Sequence, residues 1–412
     1  YKYHNFSLKG KFKDFIFLGD LAMDDENIKF EFNGNINLKD SIPVFDFKAD
    51  LHRLDLGALN LLEEDWIVSG KIDRIRLRLR NINDVTGIVS LRDFLILQDH
   101  ERTHRIDSLR FSSFYRPDGT RIFRIRSDIA EAELAGAFNL TTVPKNLMQL
   151  FSRHHPDFAE RLGLPPADST VLTDNYTMRL NIYDTQDLTH LFAPDLDTLR
   201  DIYANARVEA GRGYTQLLLS APKIKYGGIE FEDLSVGWHG EPDSSYYHLR
   251  IPSSTLSGKY RLPSIRIGGY FTEEDLQFLI EAKDSASIVE SVHLDGVLST
   301  VDSLWQVKFN ASEIALFNTE WYMDEDNYIR FGKNVFEPRN FDLMSGDLRI
   351  NFEGINNGRG LRLSSANFDL GFLNKFVKDT TLNVRGRISG IDVQIQELYQ
   401  LQNIEANIEI YE

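Results

Sequence analysis

Cysteine is absent from all 412 residues, which excludes a disulfide framework, thiolate zinc sites and cysteine nucleophiles. The absence fits cytoplasm and periplasm alike. Long apolar runs are lacking too: no window approaches the roughly 18 consecutive apolar residues of a membrane-crossing helix. Tyr1, Lys2, Tyr3 and His4 open the sequence without the charged-then-apolar plan of a secretory signal. Positive charge is in short supply, with 46 Lys plus Arg against 62 Asp plus Glu and a formal charge of −16. A field of that sign repels phosphate backbones and anionic headgroup surfaces, so nucleic acid is not an expected partner. What the chain does have is apolar material, 42% of its residues, with 28 Phe and 16 Tyr. That is far more than a disordered chain carries. Its length exceeds one ordinary core, leaving two or three globular domains or one repetitive, extended architecture.

Motifs for chemistry are equally sparse. There is no Gly-x-Ser-x-Gly elbow, no phosphate-cradling Gly loop with Lys and no dinucleotide fingerprint. His154-His155 is the most metal-like pair, but neighbours on a helix point about 100° apart and do not share an ion. The pair reads as structural and solvent-exposed. Asp324-Glu325-Asp326-Asn327 lacks the Gly and distal Glu of a calcium loop; it and Asp24-Asp25-Glu26 read as hairpin turns. The Arg74, Arg76, Arg78, Arg80 stripe alternates with Ile75, Leu77 and Leu79 in an acidic chain, so it reads as a wet sheet face. Carboxylate pairs are too abundant to mark glycosidase chemistry. No metal, nucleotide or other cofactor is expected, and no enzymatic activity.

Period-two alternation recurs almost throughout. Ile28, Phe30, Phe32, Ile36 and Leu38 form one dry row; Phe45, Phe47, Ala49 and Leu51 form another. Similar rows run through Leu77 and Leu79, Phe123 and Ile125, Leu134 and Phe138, Leu294 and Leu298, and Trp305, Val307 and Phe309. They continue through Phe368 and Leu370, then Val384 and Ile388. One-sided patterning indicates antiparallel sheet with a solvated face. A Gly followed two residues later by an apolar residue recurs at Gly34, Gly70, Gly136, Gly258, Gly296 and Gly386, as expected where strands bend or bulge. The spacing is too irregular for a strict solenoid repeat.

Three stretches break the pattern and predict helix: about 143–162, interrupted at Pro156; about 185–206, interrupted at Pro194; and about 272–282, where Thr272 and Asp275 approximate a capping arrangement. The expected organisation is therefore β-segments over 1–142, 143–290 with the helical insertions, and 291–412. Asn403 to Glu412 still alternates at its last residues, which predicts a chain continuing beyond them. Many amphipathic strands can close as sandwiches or curl into a trough whose apolar side stays open to a greasy ligand. Alternation alone allows both.

The cadence of strand, Gly, strand, Pro, strand and Leu-rich leg from Ile28 to Leu61 resembles the TamB/AsmA-like proteins of Bacteroidetes. Ile106 to Leu109, Ile125 to Ile129, Leu134 to Phe138 and the run from Trp321 to Leu343 are similar. The resemblance is one of rhythm along nearly the whole chain. It implies an elongated antiparallel β-taco, here an internal portion, whose groove carries phospholipid acyl chains between inner and outer membranes. It also implies a periplasmic location, an inner-membrane anchor outside this segment and an Omp85-family barrel (TamA/BamA-like) as partner. The groove lining would be Phe30, Phe32, Phe45, Phe47, Leu51, Leu77, Leu79, Leu134, Phe138, Leu294, Leu298, Val307, Phe309, Phe368, Leu370, Val384 and Ile388. Alternatives are a scaffold for outer-membrane protein or autotransporter assembly, and a secreted carbohydrate-binding β-protein.

Overall fold

Alternating apolar and polar residues give antiparallel strands, and the fold is all-β. The computed structural model describes residues 4–99, 101–169, 171–185, 189, 193, 196–197, 199–242, 244–256, 258, 260–272, 275–284, 289–316, 319–371, 385–399 and 402–409. Chain contacts divide it into two units, Tyr1–Leu147 with Thr170–Gly228, and Met148–Ser169 with Ile229–Glu412.

In the first unit each described strand pairs with the next in sequence, from Phe6–Lys13 through Ile16–Asp24, Ile28–Asn37, Val44–Asp55 and Trp66–Arg78 to Tyr214–Tyr226. This meander follows from local turn chemistry. Asp14 and Phe15 both take positive φ, 53° and 61°, between the paired residues Lys13 and Ile16, which is the two-residue turn whose twist matches that of the strands it joins. Asp24-Asp25-Glu26 is a hairpin turn as expected, with Asp25 Oδ1 accepting the Asn27 amide at 3.1 Å. The sheet is open: among the described residues Phe6–Lys13 pairs on one side only, with Ile16–Asp24.

The second unit branches. Ile229–Glu241 pairs with Ser244–Ile251 along one half and with Ser253–Leu256 along the other, the corner falling at Pro252. Val289–Val301 splits likewise between Leu304–Phe309 and Ser312–Leu316. At that fork the backbone of Asp295 is satisfied by the Asn310 amide (2.9 Å) and by the Ser312 hydroxyl (3.2 and 3.3 Å), so its N–H and C=O both keep partners where the ladder parts. One limb continues through Tyr328–Gly332 to Val335–Arg339, the other through Thr319–Met323 and Phe341–Ser345 to Gln402–Glu409. Asp324–Asn327 therefore crosses between limbs instead of turning a hairpin: Thr319–Met323 and Tyr328–Gly332 do not pair with each other.

The helical expectation holds at its first site. Helix α1 (Val143–His154) ends where Pro156 opens α2 (Pro156–Arg161), because the residue before proline leaves the helical region. At the second site Thr189 is helical, its carbonyl accepting the Ala193 amide at 2.9 Å; the expectation fails over Arg200–Glu209 and at the third site. Arg200–Glu209 is a strand with Ile202, Ala204 and Val208 buried on one face; the remainder of 185–206 includes Pro194, outside the described residues. Leu276–Lys283 is also a strand, paired on both sides. The Thr272–Asp275 motif is real, with Thr272 Oγ1 accepting the Asp275 amide at 3.1 Å and the Thr272 amide donating to Asp275 O at 2.8 Å. It joins Ser264–Phe271 to Leu276–Lys283 as a turn, since the alternation Leu276, Phe278, Ile280, Ala282 continues the register of its neighbours.

Candidate functional site

Residues opposite each other in a ladder share a face, so the registers decide which side chains meet. In the first unit Phe17, Ile36, Phe45 and Leu77 stand in one row. Leu21, Phe32 and Ala49 stand in the next, and Phe30 lies opposite Leu51. The ring centroids of Phe17 and Phe32 are 6.0 Å apart and those of Phe32 and Phe47 4.6 Å. The row continues through Phe111 and Phe123, 4.8 Å apart, to Leu134 and Met178. The opposite face carries Arg74, Arg76, Arg124 and Arg126, paired with Asp46, Glu133 and Glu131.

Glycine shapes this apolar face. Gly10, Gly19 and Gly34 lie side by side on three strands and meet Phe47 on the fourth. A Cβ on Gly34 would sit 2.4 Å from Asp46 O and 2.5 Å from Phe47 Cα, so strands approach here more closely than any side chain permits.

In the second unit Trp305, Val307 and Phe309 share one face with Leu298 and Gly296. Phe278, Phe309, Phe341 and Phe352 form an aromatic file with successive centroids 6.0, 5.9 and 5.8 Å apart. Elsewhere the same face is covered by the helical insertion. Phe158 meets Phe271 and Trp305 at 5.2 and 5.4 Å, and His155 meets Phe271 at 4.6 Å. His155, expected in solvent, is only 2% exposed: its Nε2 lies 3.0 Å from Ser245 Oγ, and burial pushes its pKa from 6.5 down to about 4. Gln149 and Ser152 tie α1 to the segment after α2, donating to the carbonyls of Pro166 and Pro165 at 3.0 and 2.8 Å.

Part of the sequence-expected lining stands on these faces. Phe32 is buried, whereas Phe30, Phe45, Phe47, Leu51, Leu77, Leu79, Leu134, Phe138, Leu294, Leu298, Val307 and Phe309 are half-buried. Phe368 and Ile388 pair with each other, but their register sets them on the side opposite Leu363 and Val393. Leu370 is half-buried just beyond Phe368, and Val384 lies outside the described residues. Among the described residues no cluster of three or more His, Asp or Glu could hold a metal ion, and no helix is long and apolar enough to cross a membrane. The sequence reading missed Arg121, which is buried at a dry position of the strand Arg121–Ser127. Comparison with protein-family models, curated proteins and solved structures finds no match.

Proposed function

We propose that this chain is a non-catalytic segment of a periplasmic envelope protein of the TamB/AsmA-like kind, which conducts phospholipid between inner and outer membranes along an apolar sheet face. The observation that supports this reading is the register: Phe, Leu and Ile from successive strands line up on one side, half-buried, while Arg–Asp and Arg–Glu pairs occupy the other. An ordinary core would bury such rings fully. Each methylene that an acyl chain lays against the face gains roughly 0.8 kcal/mol, so a chain is held without specific polar contacts and is free to slide. An Omp85-family barrel and an inner-membrane anchor are the partners this reading takes. The test is organic extraction of the purified protein with lipid mass spectrometry, combined with a photo-crosslinking residue at Val307 or Phe45. Co-purifying phospholipid crosslinked at both positions is expected; protein free of lipid and uncrosslinked in phospholipid vesicles would sink the proposal.

The assembly-scaffold reading draws on a different feature. The strand Phe6–Lys13 pairs on one side only and all eight of its residues are exposed, a template for an added strand. Crosslinks from Leu8 to unfolded barrel protein, without lipid at Val307, would favour it.

A further inference from the structure

We infer that Arg121 marks a binding site for an oxyanion of the phosphate class in the first unit. Arg121 lies opposite Tyr115 on one neighbouring strand and Gly136 on the other, on the face that carries Phe123 and Ile125. It is 5% exposed. Its Nε and Nη2 are buried and make no hydrogen bond, and among the described residues no carboxylate pairs with it. Its guanidinium stands over the Phe138 ring, with Cζ 5.1 Å from the centroid. A cation over a ring recovers part of the lost hydration but leaves in-plane N–H donors unmet. Elsewhere in this unit Asp55 pairs with Arg53, Glu133 with Arg124 and Glu131 with Arg126. A buried, permanently charged guanidinium without a counterion is costly, and at Arg121 the fold leaves the counterion to be brought from outside.

There is room for it. Arg121 lines a cleft of about 610 Å³ bordered also by Asn83, Tyr115, Thr120, Phe138 and Asn175. Asp118 stands on the same rim, its carboxylate accepting the Thr120 amide at 2.9 Å. The planar guanidinium suits a phosphate, with the amide of Asn83 and the hydroxyl of Tyr115 as further donors around the rim. The volume falls within the range of small-molecule sites. A free phosphate and the phosphodiester of a phospholipid headgroup offer the same chemistry. The inference stands on Arg121 and its cleft and needs no apolar trough; a headgroup occupant would deepen the lipid reading.

Isothermal titration of the wild type, Arg121→Met and Arg121→Lys with inorganic phosphate, and separately with monomeric dihexanoyl phosphatidylglycerol, tests it. Saturable binding is expected for at least one probe, about tenfold or more weaker in Arg121→Met and intermediate in Arg121→Lys. Binding of the lipid alone assigns the site to a headgroup, and equal binding of phosphate assigns it to the free ion. Acyl-chain binding, measured in parallel with a fluorescent fatty alcohol, does not depend on Arg121, so failure of the trough reading shows there and not here. Thermal melting supplies a second readout: phosphate or lipid raises the wild-type Tm and leaves that of Arg121→Met unmoved, while the unliganded variant melts no lower than the wild type. Absence of saturable binding to the wild type, equal affinity in Arg121→Met, or an unliganded variant that melts far below the wild type would each overturn the inference, the last by assigning Arg121 to propping Phe138.

Discussion

The imidazole of His155 meets the hydroxyl of Ser245 at 3.0 Å in surroundings that admit almost no solvent. Because burial lowers the His155 pKa from 6.5 to about 4, the neutral ring is the form that docks. A depressed folded-state pKa means stability that is fully present above pH 6.5 and is lost as pH falls toward 4, in total about 3 kcal/mol at 1.36 kcal/mol per pH unit. Urea midpoints followed by tryptophan fluorescence, which reports Trp238 and Trp305 beside the insertion, should therefore drop more between pH 7.5 and 4.5 in the wild type than in His155→Leu. A gap between the two proteins that does not change with pH would refute the assignment.

At Gly34 the close approach of the Asp46–Phe47 backbone leaves no space for a methyl group. Gly34→Val is expected to lose about 3 kcal/mol or more, as overpacking against main chain cannot relax through a rotamer change. Gly211→Ala is the control, since its Cβ would find nothing nearer than Leu172 O at 3.8 Å. Chemical denaturation of both variants checks the contrast, and similar midpoints would show that the strands can part at Gly34 at little cost.

Asn327, 3% exposed, reads the backbone of Phe309 as a strand would, donating from Nδ2 to its carbonyl at 3.2 Å and accepting its amide at 3.1 Å through Oδ1. Asn327→Leu removes both bonds, together with the one Nδ2 donates to the Asp324 carbonyl, and leaves the amide and carbonyl of Phe309 unmet, for an expected loss of about 2 to 4 kcal/mol. Asn327→Asp keeps the acceptor alone and should fall between. Wild-type stability in Asn327→Leu would mean that the fork in the sheet is held by the ladder without it.

These cases show what alternation can and cannot convey. The dry rows Phe30, Phe32 and Phe45, Phe47 were legible because side-chain direction has period two in any strand. The strand Leu276–Lys283 was misread because Leu276, Phe278, Leu279 and Ile280 satisfy both a helical stripe and a strand, and the turn bonds of Thr272 imitate a helix cap. Asp324–Asn327 was misread as a hairpin because pairing between distant strands, Leu304–Phe309 with Tyr328–Gly332, leaves no local trace. Arg121 carried a signal that was passed over: an arginine in phase with Phe123 and Ile125 occupies a dry position. Its missing partner and its cleft are tertiary facts that the alternation does not encode.

The strand Leu304–Phe309 separates an open apolar trough from a sealed core. Phe309 lies in the aromatic file between Phe278 and Phe341, and Lys308 points to the wet side, exposed. In a sealed core an unpaired carboxylate at 309 costs several kcal/mol in desolvation and lost packing, comparable with a domain's net stability of about 5 to 15 kcal/mol. In an open trough the carboxylate reaches water when no acyl chain is present. Phe309 is only half-buried, so Phe309→Glu is expected to stay soluble and folded while its retained phospholipid falls several-fold, and Lys308→Glu to leave both unchanged. Circular dichroism and lipid-to-protein ratio after extraction decide the matter. A folded Phe309→Glu with its normal lipid load defeats the conduit reading for this strand, because an acyl chain held against Phe309 could not ignore a charge there. An insoluble Phe309→Glu beside a normal Lys308→Glu would instead mean that the aromatic file is protein interior.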